Sequence, residues 1–465
     1  MCYWCGKYWV TFAMLLTVTA RADDWPQWLG PRRDGVWREN GVVDRMPKGG
    51  PPIRWRAPVG GGYAGPAVAG GRVFVTDWVP TGDGKASPDA TGRRVRAGRE
   101  RVHCLRESDG SVLWTHQYDC PYGIDYAAGP RTTPVVDGDR VYAYGAEGHL
   151  VCLDVQSGKP HWSVRLAGGE GAPVPMWGMS AHPLVDGDKL ITLTARTDGV
   201  AAALDKRTGK QLWSALPARS PGYCPPMIYE AAGARQLIIW HPESVNSLDP
   251  ETGKVYWSVP HGPVENDVSI TTPRHFRHPQ HGDLLLVSDA WNGSRVLKLG
   301  RDDSSGAPTA ETLWHRGGGR SARGKDLLHV LMAAPFVHGH HVYGVHIHGQ
   351  VRCLDAITGQ SRWETFKAAN QSEDPVTWST AFIVPHAPSE TNTIRAFLAN
   401  EHGDLILADL SPDGYEEISR ARLLTPSNYD AGRPVVWSHP AFANRSVYWR
   451  NDKELVCASL AKETQ

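Results

Sequence analysis

The chain has 465 residues, 41% of them hydrophobic and 21% charged, enough apolar material for a large core. Forty-nine basic residues balance 49 acidic ones, so a dedicated nucleic-acid surface or a polybasic membrane anchor is not expected. Glycine (49), proline (35) and tryptophan (19) are abundant, a composition that favours turns between strands over helices.

Residues 1–22 read as an export leader. Lys7 precedes the apolar run "YWVTFAMLLTVTA", and Ala20-Arg21-Ala22 offers a small-x-small cleavage site. The run is short for a membrane span, and no cysteine follows it to carry a lipid. The expected mature chain is periplasmic or secreted, without a membrane span, and monomeric. Cys2 and Cys5 would leave with the leader. Residues 23–50, opening on "DWPQWLGPRRDG", read as an N-terminal arm, and residues 51–465 as one repeat domain.

Within that domain one spacing recurs. "CLRESDGSVLW", "CLDVQSGKPHW", "ALDKRTGKQLW", "SLDPETGKVYW" and "CLDAITGQSRW" end at Trp114, Trp162, Trp213, Trp257 and Trp363. Gly110, Gly158, Gly209, Gly253 and Gly359 each lie four residues before the tryptophan. Asp154, Asp205, Asp249 and Asp355 lie eight before it. Two copies are degenerate: one is expanded before Trp314, and one has Ile418 in the tryptophan place after Gly414. The pattern predicts a hairpin, with a strand ending at Asp, a left-handed glycine in the turn and a second strand carrying Trp. A second hairpin, such as "PVVDGDRVYAYG", precedes each copy, so the unit is a four-stranded sheet that must stack on its neighbours.

Units begin near Pro66, Pro134, Pro183, Pro226, Pro273, Pro335, Ala381 and Pro440, which makes eight. The last stops before any tryptophan strand, and "IRWRAPV" around Trp55 supplies what it lacks. The expected fold is all-β, an eight-bladed β-propeller of four-stranded antiparallel blades closed by an N-terminal strand. Trp55, Trp114, Trp162, Trp213, Trp257, Trp314 and Trp363 are expected to dock each blade on the next. Cys104, Cys152, Cys353 and Cys457 share a position with Ala203 and Ser247, a slot for a small buried side chain.

The A/C/S-x-D-x-x-T/S-G-x-x-x-W repeat resembles the pyrroloquinoline-quinone (PQQ)-like propeller repeat of the quinoprotein alcohol dehydrogenase-like family. The resemblance covers nearly the whole domain and implies the fold, with each tryptophan docking one blade on the next. That family holds PQQ-dependent alcohol and sugar dehydrogenases and also the non-enzymatic propeller of the outer-membrane β-barrel assembly machinery, BamB. The dehydrogenases often carry two adjacent cysteines, and none are adjacent here. No C-x-x-C-H haem site occurs. The sequence therefore points to a binding or scaffold protein rather than an enzyme, with no cofactor expected. The alternatives are a PQQ-dependent dehydrogenase using PQQ with calcium, and a carbohydrate-binding propeller.

Loops linking the blades are rich in aromatic and polar residues and are expected to rim a central funnel. Trp177, His182, Trp291, His348, Trp378, His402, Arg433, Trp437 and His439 are the candidates for binding a protein partner, an extended peptide or a glycan. In "VHGHHVYGVHIHGQV", His338 and His340 fall at one end of a hairpin and His346 and His348 at the other, so no metal site is read there. Cys120 and Cys224 break the repeat and read as separate loop thiols. The polar, basic insertion 79–101 reads as a solvated loop.

Overall fold

The repeated Asp and Gly close a hairpin for local reasons. The Asp154 carboxylate accepts the Ser157 amide at 2.7 Å and the Ser157 hydroxyl at 2.6 Å. Asp205 holds Thr208 in the same manner, and Asp355 holds Thr358. Gly158 follows at φ +69°, and its amide returns to the Asp154 carbonyl at 2.8 Å. A short acceptor, a hydroxyl and a residue without Cβ are what this turn requires. The carboxylates are joinery.

The computed structural model describes residues 23–462 apart from 127, 169–171, 262–267, 318–323, 325–326, 371–373 and 387–390. The expected leader lies outside the described residues. Among those described there is no helix, and eight four-stranded antiparallel sheets form the eight blades of a propeller. Blades 1 to 8 start their inner strands at Ala67, Val135, Leu184, Met227, Arg274, Phe336, Ala381 and Ala441. Blade 2 shows the plan, with strands Val135–Asp137, Arg140–Tyr144, His149–Asp154 and Pro160–Arg165 running outward. Blade 8 takes its outer strand, Ile53–Pro58, from the N-terminal side, with Trp55 directly opposite Cys457.

A register shift between the two outer strands sets each tryptophan against its small partner. Cys104 faces Trp114, Cys152 faces Trp162, Ala203 faces Trp213, Ser247 faces Trp257 and Cys353 faces Trp363. The indole then lies over the turn glycine of the following blade. A Cβ on Gly158 would stand 2.5 Å from Trp114, one on Gly209 2.7 Å from Trp162, and one on Gly110 2.6 Å from Trp55. Each of these indole N–H groups donates into that same turn, Trp55 to Glu107 O at 2.8 Å, Trp114 to Val155 O at 3.0 Å and Trp162 to Lys206 O at 3.1 Å.

Four junctions depart from this plan. The Trp213 indole covers Gly253, but its N–H finds no acceptor among the described residues. Trp363 donates to Ser411 O at 2.8 Å with Gly414 in open space. The other two differ further. Trp257 turns back to Gln236 Oε1 in its own blade at 2.9 Å, because the expanded turn of blade 5 leaves Gly306 in open space. In blade 7 the register puts Ser419, not Ile418, opposite Leu407. There the arm substitutes for the missing indole, with Met46 N donating to Ser419 Oγ at 3.0 Å and Arg45 bonding the Ile418 carbonyl. Trp37, fully buried, packs between Phe397 of blade 7 and Phe442 of blade 8 at 5.5 and 5.1 Å.

The insertion between the two long middle strands of blade 1 is ordered, contrary to its polar composition. Ala86–Pro88 pairs with Arg94–Arg96, Arg93 pairs with Glu147 of blade 2, and the Arg96 guanidinium lies 5.4 Å from the Trp78 ring. Arg93 and Arg96 are thus engaged within the protein, while Arg94 and Arg99 stay exposed.

Candidate functional site: an aromatic funnel

The connections entering the inner strands converge at one end of the central axis and enclose a cavity of about 350 Å³. Its wall carries Tyr63, Tyr126, Trp177, Tyr223, Trp291, Trp378 and Trp437, with Arg131, Ser180 and Thr272 among the polar groups. Trp291 and Trp378 stack with centroids 5.9 Å apart, Trp177 lies 5.4 Å from Tyr223, and Tyr126 lies 6.0 Å from Trp437.

The arm closes the floor. Trp28 stacks on His182 at 4.1 Å with planes within 3°, meets His439 edge-on at 4.2 Å, and donates its N–H to Thr272 Oγ1 at 3.1 Å. Thr133 joins the two imidazoles, its amide donating to His182 Nδ1 at 2.9 Å and its hydroxyl lying 2.7 Å from His439 Nε2. Burial holds His439 down at about 3 and His182 well below its ordinary value, so both rings are neutral. Arg33 anchors the arm beneath them, donating to Pro183 O at 2.9 Å and to Pro226 O at 3.1 Å. Gly65 brings the chain against His439 so closely that a Cβ would stand 2.5 Å from the ring.

Two wall aromatics carry backbone strain. Trp378 sits at φ +65° and Tyr126 at φ +51°, a region bulky side chains rarely adopt. The Trp378 amide is held by Ile347 O at 2.6 Å. Such outliers persist where the surroundings impose them, and they concentrate at binding sites.

Six of the nine residues singled out from sequence, Trp177, His182, Trp291, Trp378, Trp437 and His439, line this cavity. The other three lie behind or beside it. Arg433 grips buried Glu401 at 3.0 and 2.9 Å, and Trp437 N–H shares that carboxylate at 3.1 Å, so Arg433 positions Trp437. His348 pairs by backbone with Ser379 and places its ring 5.4 Å from His346. His402 donates its amide to Asn400 Oδ1 at 3.1 Å in a turn. Sequence reasoning missed Trp28, Tyr63, Tyr126, Arg131 and Tyr223. Tyr126 lay in a loop already noted as aromatic, whereas Trp28 belongs to an arm whose path no local pattern encodes. Cys120 and Cys224 are separate buried thiols.

Fold and site together define a PQQ-like eight-bladed β-propeller with a closed, aromatic-walled funnel. The chain belongs to the family described as outer membrane protein assembly factor BamB, whose model matches residues 98–365. BamB of Burkholderia pseudomallei is 23% identical over 50% of this chain and 54% of its own length. The serine/threonine-protein kinase AfsK of Streptomyces griseus is 25% identical over 52% of this chain and 31% of the kinase. The chain thus matches only about a third to a half of the length of these relatives. Among solved structures, BamB from Moraxella catarrhalis superposes with a TM-score of 0.50 at 18% identity, covering 84% of this chain and 99% of that one. The quinohemoprotein alcohol dehydrogenase of Comamonas testosteroni gives 0.59 at 13% identity, covering 95% and 81%. Both are likenesses of fold.

Proposed function

We propose that this chain is an exported binding protein that seats an extended, apolar or aromatic peptide segment of a partner protein in the funnel. The observation that carries the reading is the wall itself, aromatic nearly all round and including two side chains held at left-handed φ. A cavity of about 350 Å³ suits side chains of a bound segment rather than a whole domain, leaving the blade-linking loops to meet the rest of the partner. Membership of an assembly-factor family agrees with a partner that is protein. Export agrees with the leader-like residues 1–22, and no helix among the described residues is long and apolar enough to cross a membrane.

The wall fits a calcium-held quinone poorly. Its indoles would take a planar ring, but the described residues of the lining include no carboxylate. The nearby acids are engaged, Glu401 by Arg433 and Trp437, and Asp430 by the Tyr63 hydroxyl at 3.2 Å. The same shortage of acceptors disfavours a glycan, whose hydroxyls need partners.

The test is a titration of tryptophan fluorescence with proline- and aromatic-rich peptides, soluble glycans, and PQQ with calcium. Peptides are expected to bind, and Trp378→Ala and Trp437→Ala each to weaken binding about 30-fold, the effect of truncating a buried aromatic anchor by about 2 kcal/mol. Binding by glycans alone, or dye reduction with PQQ, calcium and an alcohol, would replace the proposal.

A further inference from the structure

Glu100, Cys120 and His149 place a carboxylate oxygen, a thiol sulfur and an imidazole nitrogen within 4.8 Å of one another, away from the funnel lining. Glu100 lies on a middle strand of blade 1, Cys120 just after its outer strand, and His149 opens the third strand of blade 2. The three therefore straddle a blade junction.

Cys120 Sγ stands 3.7 Å from His149 Nδ1. Zinc bonds of about 2.3 Å to sulfur and about 2.0 Å to nitrogen, at a tetrahedral angle, put those two atoms about 3.5 Å apart. The sulfur–nitrogen gap already has the span a tetrahedral ion sets.

Glu100 is the stronger indication. It is buried, and among the described residues no cation pairs with it, since the neighbouring Arg93 is taken by Glu147. Instead the hydroxyls of Tyr118 and Tyr122 and the Ala146 amide converge on its carboxylate, two on Oε1 and one on Oε2. Oε2 retains a lone pair. A buried carboxylate oriented by three donors but without a counter-charge is costly by itself. It is also the outer-shell arrangement that fixes a metal ligand. The Tyr118 ring packs 5.1 Å from His149 and steadies the third donor. One thiolate and one carboxylate would neutralise a divalent ion.

We infer that Glu100, Cys120 and His149 form a zinc site that clips blade 1 to blade 2, with a water in the fourth position. On binding, a Zn–S bond replaces the S–H bond and the proton leaves to solvent. Half-buried His149 marks the entry side. No motif spacing announces the cluster, because its members lie 20 and 29 residues apart on different strands.

The experiment titrates the metal-stripped full chain with Co²⁺, a spectroscopic stand-in for zinc. One equivalent is expected to produce a near-ultraviolet sulfur-to-cobalt charge-transfer band that one equivalent of Zn²⁺ abolishes, and Zn²⁺ is expected to raise Tm. Cys120→Ser should lose the band, His149→Asn should weaken binding at least tenfold, and Cys353→Ser should behave as wild type. Absence of the band in the wild-type chain overturns the inference whatever the variants do. So does a band that persists in Cys120→Ser.

Discussion

Trp114 and Gly158 show how one repeat position carries both turn geometry and blade docking. Gly158 needs a left-handed backbone and also has an indole against its face, whereas Gly138 is left-handed at φ +59° with open space around it. Gly138→Ala should cost about 1 kcal/mol through the backbone alone. Gly158→Ala should cost about 2 kcal/mol or more, because the Trp114 contact is added. Urea unfolding of the two variants reads the difference, and equal losses would remove the docking role of the glycine. The repeated cysteines belong to the same scale. Cys152 sits opposite Trp162, and burial pushes its thiol up, so it packs as a small apolar group and is no nucleophile.

At the scale of the element, the N-terminal arm is the part whose place follows from no local pattern. It touches blade 1 through Trp25 and Val68, blades 3 and 4 through Arg33, and blade 7 through Trp37 and Pro385. It thus ties the inner ends of the ring together while Trp28 plugs the axis. Trp28→Ala is expected to cost about 3 kcal/mol, as for other buried aromatic truncations, and to deepen the funnel. Thermal unfolding together with peptide affinity checks this. A variant with wild-type Tm would mean that Trp28 contributes little to holding the arm. The insertion of blade 1 teaches the converse. Its composition reads as solvated, yet Arg93 and Arg96 find Glu147 and Trp78 because blade 2 and the long strands of blade 1 stand beside it.

For the whole molecule, closure is decisive. Strand Ile53–Pro58 meets strand Glu454–Ser459 across almost the full length of the chain, and buried Arg450 bonds Thr76 O at 2.6 Å across the seam to blade 1. A chain beginning after residue 58 would lack the arm and leave the edge of strand Glu454–Ser459 unpaired, and it is expected to aggregate rather than unfold cooperatively. Light scattering and calorimetry would decide, and a monomeric, cooperative product would count against closure as the stabilising step. The core also sets the pH response. Burial holds His439 at about 3 and His346 at about 2, and His182 well below its ordinary value. Below about pH 6.5 the unfolded chain takes up these protons and the folded chain does not. Stability should therefore fall as pH drops from about 6.5 towards about 3, by about 1.4 kcal/mol per pH unit for each such histidine. His439→Gln should flatten the slope in chemical denaturation at several pH values. An unchanged slope would show that His439 is not the source.

The residues alone were enough for the turns, the count of eight and the strand that closes the ring. The turns depend on contacts within a hairpin, which a repeated unit states again and again, and the closing strand follows from counting what the last unit lacks. Tertiary structure decided the rest. The stacking of Trp28 on His182, the capture of Arg433 by Glu401, and the meeting of Glu100, Cys120 and His149 all join segments that no periodicity relates. Packing between neighbouring blades and against the arm brings these groups together, so their proximity is written in the angles between blades and not in any stretch of chain.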